Sequence, residues 1–285
     1  MHYQSDICFV QTRYQYDSYT DFRRLVEVSG FSSCFVDEVR LDESKTYIVT
    51  PSNGEWRPHI QNEQNRVPLG SRRACLVWWN LERGWNPGEV GPSADGLGDM
   101  LLWCDKVWIS DRSWATALAN IHGLDRIRNV PLGSNTLLGS PGRTKKYDLI
   151  HLSYVTHRRS LVYNQMLVRR TIAENCWGDL RHERLQQSRA LFGIHQDEKP
   201  IIEPLRFALA ASYGLPILTE SVSDTWPYQD GVSIIVFNYN EAAQAIEDIF
   251  SRGEPYLMSI GEAGRKLMTE DNTFRSFIEH EVSNA

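Results

Sequence analysis

A chain of 285 residues with 41% apolar side chains has enough material for two ordinary cores or one large one, so it is expected to fold unaided. Its formal net charge of −6 argues against a protein that coats polyanions. The five cysteines (Cys8, Cys34, Cys75, Cys104 and Cys176) are odd in number, far apart and without Cys-x-x-Cys or His-rich spacing, which predicts reduced thiols, no disulfide framework and no zinc site. No signal-peptide pattern and no apolar run of about 18 residues is visible, so a cytoplasmic protein without a membrane span is expected.

Short apolar runs alternate with helical patterns along the whole chain, the mark of parallel α/β units. "DICFVQTR", the helical "DFRRLVEVSG" with Gly30 as a stop, and "SCFVDEV" open it. The strand-like runs "TYIVTPSNG", "ACLVWWNLER" and "DKVWISD" follow, each ending in polar or turn residues. In an open parallel sheet, ligands bind beyond the carboxyl ends of the strands, which makes Asn80, Glu82, Arg83, Ser110 and Asp111 candidates for a cleft on the acceptor side. Among the tryptophans of this half, Trp78, Trp79, Trp85, Trp103, Trp108 and Trp114 could stack on a sugar or a base, but most of them are expected to be packing.

"GSNTLLGSPGRTKK", residues 133–146, lacks periodicity and predicts an interdomain linker, giving domains 1–140 and 141–285. The α/β rhythm restarts with "YDLIHLS", the basic turn "THRR", a helical "SLVYNQMLVRRTIAE", a further helical stretch and the strand "LFGIH". Next come the helix "EPLRFALAASYG", the strand "LPILT", a loop, the strand "SIIVFN", and three closing helices, the first with an Asn N-cap. The expected class is α/β, two Rossmann-like domains facing a cleft, with a compact N-terminal domain.

The helix "EPLRFALAASYG" poses an electrostatic question. Pro204 suits the first helical position and Gly214 the left-handed stop. Glu203 is favoured by the helix dipole at this end, whereas Arg206 in the same turn is not. Two accounts fit: an i, i+3 ion pair worth about 0.2–0.5 kcal/mol, or an anion bound at the helix N-terminus with Arg206 as a forked donor. Arg158 and Arg159, in the basic turn after the first strand of this half, would neighbour that N-terminus in a parallel sheet and converge with Arg206 on one diphosphate.

The run of "LQQSRALFGIHQ", "EPLRFALAASYGLPILTE", "DGVSIIVFNYNEAAQAIEDI" and "IGEAGRKLMTEDNTFRSFI" resembles the C-terminal half of GT-B glycosyltransferases, close to the CgeB-like and family 4-like groups. The match spans roughly the last hundred residues and rests on several spaced features at once; "VWWNLER", "DKVWISD" and "VPLGS" match more loosely. The resemblance implies a nucleotide-diphosphate sugar as donor substrate, held by the C-terminal domain, with no metal and no cofactor. It implies that Arg158 or Arg159 contacts the diphosphate, Arg206 the donor phosphate or sugar, and Glu203 and Glu220 the donor surroundings. With His195 and Gln196 at a strand tip, the catalytic candidates are Arg206, Glu203 and His195, and the donor-binding candidates Arg158, Arg159, Gln196, Gly214, Glu220 and Tyr228. One departure stands out: many relatives carry a glutamate five residues before the glycine, where this chain has Leu209.

Fixed arginines and a helix N-terminus can stabilise a leaving diphosphate without a metal. Retention by front-side attack is the expected outcome; inversion would need a general base, with Asp111, Glu82 and His59 as candidates. The acceptor is left between a polysaccharide and a modified DNA base. The alternatives are a sugar-nucleotide epimerase and a noncatalytic nucleotide-sugar-binding protein.

Overall fold

The computed structural model describes residues 6–11, 17–50, 56–81, 104–122, 125–174, 176–196, 198 and 202–283. The chain divides into two compact units: Met1–Tyr16, Val26–Leu132 and Arg275–Ala285 form one, and Asp17–Leu25 with Gly133–Phe274 the other. Neither unit is one contiguous segment, and side chains say why. Asp21 accepts hydrogen bonds from Arg181 and His182, and Phe22 packs edge-on against Phe274, which ties Asp17–Leu25 to the second unit. Arg275 donates to the Ser29 carbonyl and lies over the Phe31 ring, which ties the C-terminal segment to the first.

In the first unit the described strands are β1 (Asp6–Gln11), β2 (Ser32–Phe35), β3 (Lys45–Val49), β4 (Cys75–Asn80), β5 (Lys106–Ile109) and β6 (Ile127–Asn129). All pair in parallel, in the order β2-β1-β3-β4-β5-β6, with Phe9 opposite both Ser33 and Ile48. Helices α1 (Asp17–Val28), α2 (Trp56–Arg66) and α3 (Arg112–His122) connect them, and Gly30, at φ 73°, turns the chain out of α1. The central strands are apolar on both faces because helices cover both sides of a parallel sheet. Trp78, Trp79 and Trp108 are wholly buried there, Trp79 donating to the Val130 carbonyl at 3.0 Å, so these three are core. Trp85 and Trp103 lie outside the described residues.

In the second unit the described strands are β7 (Tyr147–Ile150), β8 (Ile172–Ala173), β9 (Ser188–Gly193), β10 (Ile217–Glu220) and β11 (Ile235–Phe237), parallel in the order β11-β10-β9-β7-β8. Its helices are α4 (His157–Leu167), α5 (Gly178–Gln187), α6 (Pro204–Ser212), α7 (Ala242–Ser251) and α8 (Glu254–Lys266); after a π turn, α9 (Phe274–Ser283) belongs from Arg275 onward to the first unit. The chain leaves β7 for β8 on one side and returns to β9 on the other. The gap between the carboxyl ends of β7 and β9 is therefore the topological switch point, where α/β sheets take ligands.

Two expectations need correction. The helix expected over "SLVYNQMLVRRTIAE" stops at Leu167, because the Arg169 and Arg170 amides both turn back to the Met166 carbonyl and Ile172–Ala173 pair with Leu149–Ile150 instead. Residues 133–146 contain no helix or strand but pack tightly on the second unit. A Cβ on Gly133 would lie 2.5 Å from the Asn272 carbonyl oxygen, and one on Gly139 would lie 2.3 Å from the Tyr213 ring. Their glycines serve close approach rather than a loose tether.

Candidate functional site

Helix α6 is bounded as its sequence requires. Pro204 occupies its first turn, Phe207–Ser212 are buried, and Gly214 adopts φ 63° past its end. Its N-cap is Glu203, whose side chain makes no capping hydrogen bond and instead forms ion pairs with Arg206 and Arg159. The ion-pair account of the odd arginine is the one observed: Arg206 is paired with Glu203 at i, i+3, and a second guanidinium, Arg159, arrives on the same carboxylate from another element.

Arg159 stands on the first turn of α4 and reaches across the switch point. Its Nε donates to the Ile194 carbonyl beyond β9 at 2.7 Å, one Nη to the Tyr154 carbonyl at 2.9 Å, and the other to Glu203 at 3.3 Å. A guanidinium this deeply buried is tolerated only when its donors are satisfied and its charge is matched. Burial pushes the Glu203 carboxyl up, but Arg206 and, after it, Arg159 outweigh it and hold the group below the usual carboxylate range. Glu203 is thus an ionised clamp holding two arginines at the start of a helix.

Arg158 takes a different partner. Its guanidinium makes a two-pronged pair with Glu220 at the end of β10, one prong at 2.7 Å, and donates to the His195 carbonyl at 3.1 Å. The Tyr239 ring lies 3.8 Å below the guanidinium carbon, and the Tyr239 hydroxyl donates to the Arg158 carbonyl. The Glu220 bond holds the Arg158 pKa above its usual value. Glu220 also accepts the His195 amide at 3.1 Å. The His195 Nε2 lies 3.2 Å from the Ser221 carbonyl, an acceptor only, so Nε2 carries the proton and Nδ1 is left as the acceptor. Three guanidinium groups and the carboxylates of Glu203 and Glu220 gather beyond β9, with Glu198 also acting on Arg158.

The remaining donor-side candidates are less concentrated. Gln196 is exposed just past His195. Gly214 sits at the far end of α6, about 14 Å from its N-terminus at the helical rise, and acts there as a helix stop. Tyr228 is buried after the cis Trp226–Pro227 bond, edge-on to Phe207 at 5.9 Å; burial raises its phenol pKa, and its hydroxyl has no hydrogen-bond partner among the described residues. Leu209, the departure from the resembled pattern, is entirely buried.

Sequence reasoning missed His151, one residue past β7. Its Nδ1 lies 3.2 Å from the Phe192 carbonyl and must donate, which leaves Nε2 a buried acceptor without a partner among the described residues. Burial, with Arg159 and Arg206 nearby, pushes its pKa down to about 4. The available signal was a polar residue at the tip of the apolar "YDLI", the same signal that marked His195. Tyr239 was also missed, because nothing in "NYNE" announces a ring beneath an arginine some eighty positions away.

In the first unit the Asn80 carbonyl accepts both the amide and the hydroxyl of Ser110. Asp111 caps α3, its Oδ1 accepting the Trp114 amide at 2.8 Å and the Ser113 hydroxyl at 2.7 Å. His59 is exposed on α2. Glu82 and Arg83 lie outside the described residues. Among the described residues no three of His, Cys, Asp and Glu form a group that could hold a metal ion, and no helix is long and apolar enough to cross a membrane.

No family model matches the chain, and no curated protein matches it in sequence. Solved structures do. HepE from Anabaena, in complex with UDP and glucose, superposes with a TM-score of 0.64 at 8% identity over 98% of this chain and 99% of its own. AviGT4, a glycosyltransferase involved in avilamycin A biosynthesis, gives 0.58 at 10% identity over 98% and 96%. TarM gives 0.59 at 8% identity over 86% of this chain, which spans only 56% of TarM. The likeness shows the fold: two parallel α/β units of the GT-B class.

Proposed function

We propose that the chain is a glycosyltransferase, moving a sugar from a nucleotide-diphosphate sugar to an acceptor saccharide in the cytoplasm, without a metal and with retention. The observation that carries the reading is the Arg159–Glu203–Arg206 cluster, placed at the switch point between β7 and β9 and at a helix start with no side-chain cap. HepE, of the same fold, is described in complex with UDP and glucose, which supports a nucleotide sugar as ligand.

In this reading the free N–H groups of α6 and the half-exposed Arg206 stabilise the charge that builds on the departing diphosphate. Arg159 stays with Glu203 and keeps the helix start in position. Arg158, locked to Glu220, holds the His195 backbone, so that the Nδ1 of His195 can accept a hydroxyl proton of the donor sugar or the acceptor. Front-side attack assisted by the leaving phosphate requires no protein nucleophile. Incubation with UDP-, GDP- and dTDP-sugars tests the proposal: release of free nucleoside diphosphate is the expected result. A new sugar nucleotide would mark an epimerase, binding without turnover a noncatalytic protein, and no binding would end the reading.

A further inference from the structure

The loop between β7 and α4 carries Tyr154, a large aromatic 69% exposed to solvent. Its ring lies 5.1 Å from that of Trp177, tilted by 38°. Single exposed aromatics are ordinary; what distinguishes this pair is how firmly it is held. The Tyr154 carbonyl accepts from Arg159, the same guanidinium that grips Glu203. The Trp177 ring lies 4.8 Å from the guanidinium carbon of Arg181. Arg181 is itself buried, donating to the Cys176 carbonyl at 3.0 Å and paired with the buried Asp21. One buried arginine thus anchors the Tyr154 backbone and another lies against the Trp177 ring, and the exposed Tyr154 ring with the half-buried Trp177 ring forms a bent apolar surface. A surface ordered in advance loses little further freedom on binding, which favours recognition.

We propose that Tyr154 and Trp177 form a platform for an uncharged saccharide, stacking against the apolar faces of successive pyranose rings of the acceptor; the proposal rests on the glycosyltransferase reading above. Three observations select this occupant. The rings already touch and are tilted, which leaves no slot for a flat base between them and suits two sugar rings turned relative to one another. Exposed Glu174 and Asp179 flank Trp177 in the chain, and the net charge is −6, both of which oppose a phosphate-bearing polymer. The platform also hangs from Arg159, so an acceptor seated on it lies beside the cluster assigned to the donor diphosphate.

Affinity electrophoresis of the full chain through gels holding dextran, soluble starch or mixed-linkage β-glucan, with heparin as the polyanion, tests it alongside calorimetry with UDP, GDP and dTDP. The wild type is expected to be retarded by at least one neutral polysaccharide and not by heparin. Tyr154→Ala should lose that retardation at least fivefold and Tyr154→Phe should keep it, with nucleotide affinity within twofold of the wild type in both. Equal retardation of wild type and Tyr154→Ala, no retardation by any neutral polymer, or retardation by heparin alone overturns the proposal. A drop in nucleotide affinity in Tyr154→Ala also overturns it and marks a base-stacking surface. Failure of the wild type to bind any nucleotide, with Tyr154-dependent retardation intact, sinks the transferase reading and leaves the saccharide surface standing.

Discussion

Arg159 and Glu203 are 44 positions apart in the chain and meet at 3.3 Å across the switch point between β7 and β9. Removing the arginine takes the donors from the carbonyls of Tyr154 and Ile194 and leaves the partly buried Glu203 with only Arg206 of its two guanidinium partners. Arg159→Met is therefore expected to destabilise the fold by about 3–5 kcal/mol, the usual cost of breaking a buried pair. Urea denaturation checks this, and a variant as stable as the wild type would show that the cluster is not structurally coupled.

Arg206 should behave in the opposite way. It is half-exposed, pairs within its own helical turn, and leaves Glu203 still held by Arg159 when removed. Arg206→Ala should change stability little but weaken nucleoside-diphosphate binding tenfold or more, about 1.4 kcal/mol. Calorimetry with UDP, GDP and dTDP reads the loss, and unchanged affinity removes Arg206 from the site.

The Glu203 carboxyl is held below its unfolded value of 4.5. The stability it contributes is fully present above that value and is lost as the pH falls through the lower folded value. Glu203→Gln should therefore lose less stability than the wild type on acidification below pH 4.5, seen in denaturation midpoints across an acid series.

His151 works from a higher pH. Its pKa falls from 6.5 to about 4 on folding, so the folded state disfavours the proton that the unfolded chain accepts. Stability should decline as the pH drops from 6.5 towards 4 and then level off for this group, a loss of roughly 3 kcal/mol at 1.36 kcal/mol per unit. In His151→Phe that part of the pH dependence should disappear, and an unchanged slope would assign it to other groups.

Gly261 on α8 lies against the turn that ends α6. A Cβ there would sit 2.1 Å from the Gly214 carbonyl oxygen, a backbone atom that cannot swing away. Gly261→Ala should force α8 outward and cost about 1–3 kcal/mol, as overpacking does, measurable as a lowered Tm. An unaltered Tm would show that the helix moves freely.

The limits of α6 were legible in the sequence because Pro204 and Gly214 act through their own backbones, and the parallel α/β class because burial on both faces leaves continuous apolar runs. The neighbourhood of the "THRR" turn and the α6 start was legible from the same rule, since parallel strands bring their carboxyl ends to one edge. The two-residue β8 and the three-residue β6 were not, because neither is long enough to express a period.

What the sequence determined by itself was local: the alternation of the longer strands with helices, where α6 starts and stops, and that an arginine sits where the helix dipole disfavours it. Tertiary structure alone decided the partners: that Arg158 takes Glu220, that Arg159 joins Arg206 on Glu203, and that Asp17–Leu25 packs with the second unit through Asp21. Periodicity reports only which side of an element is buried. The partner of a buried charge is set by the order in which strands lie side by side, and that order is decided by the packing of the whole sheet.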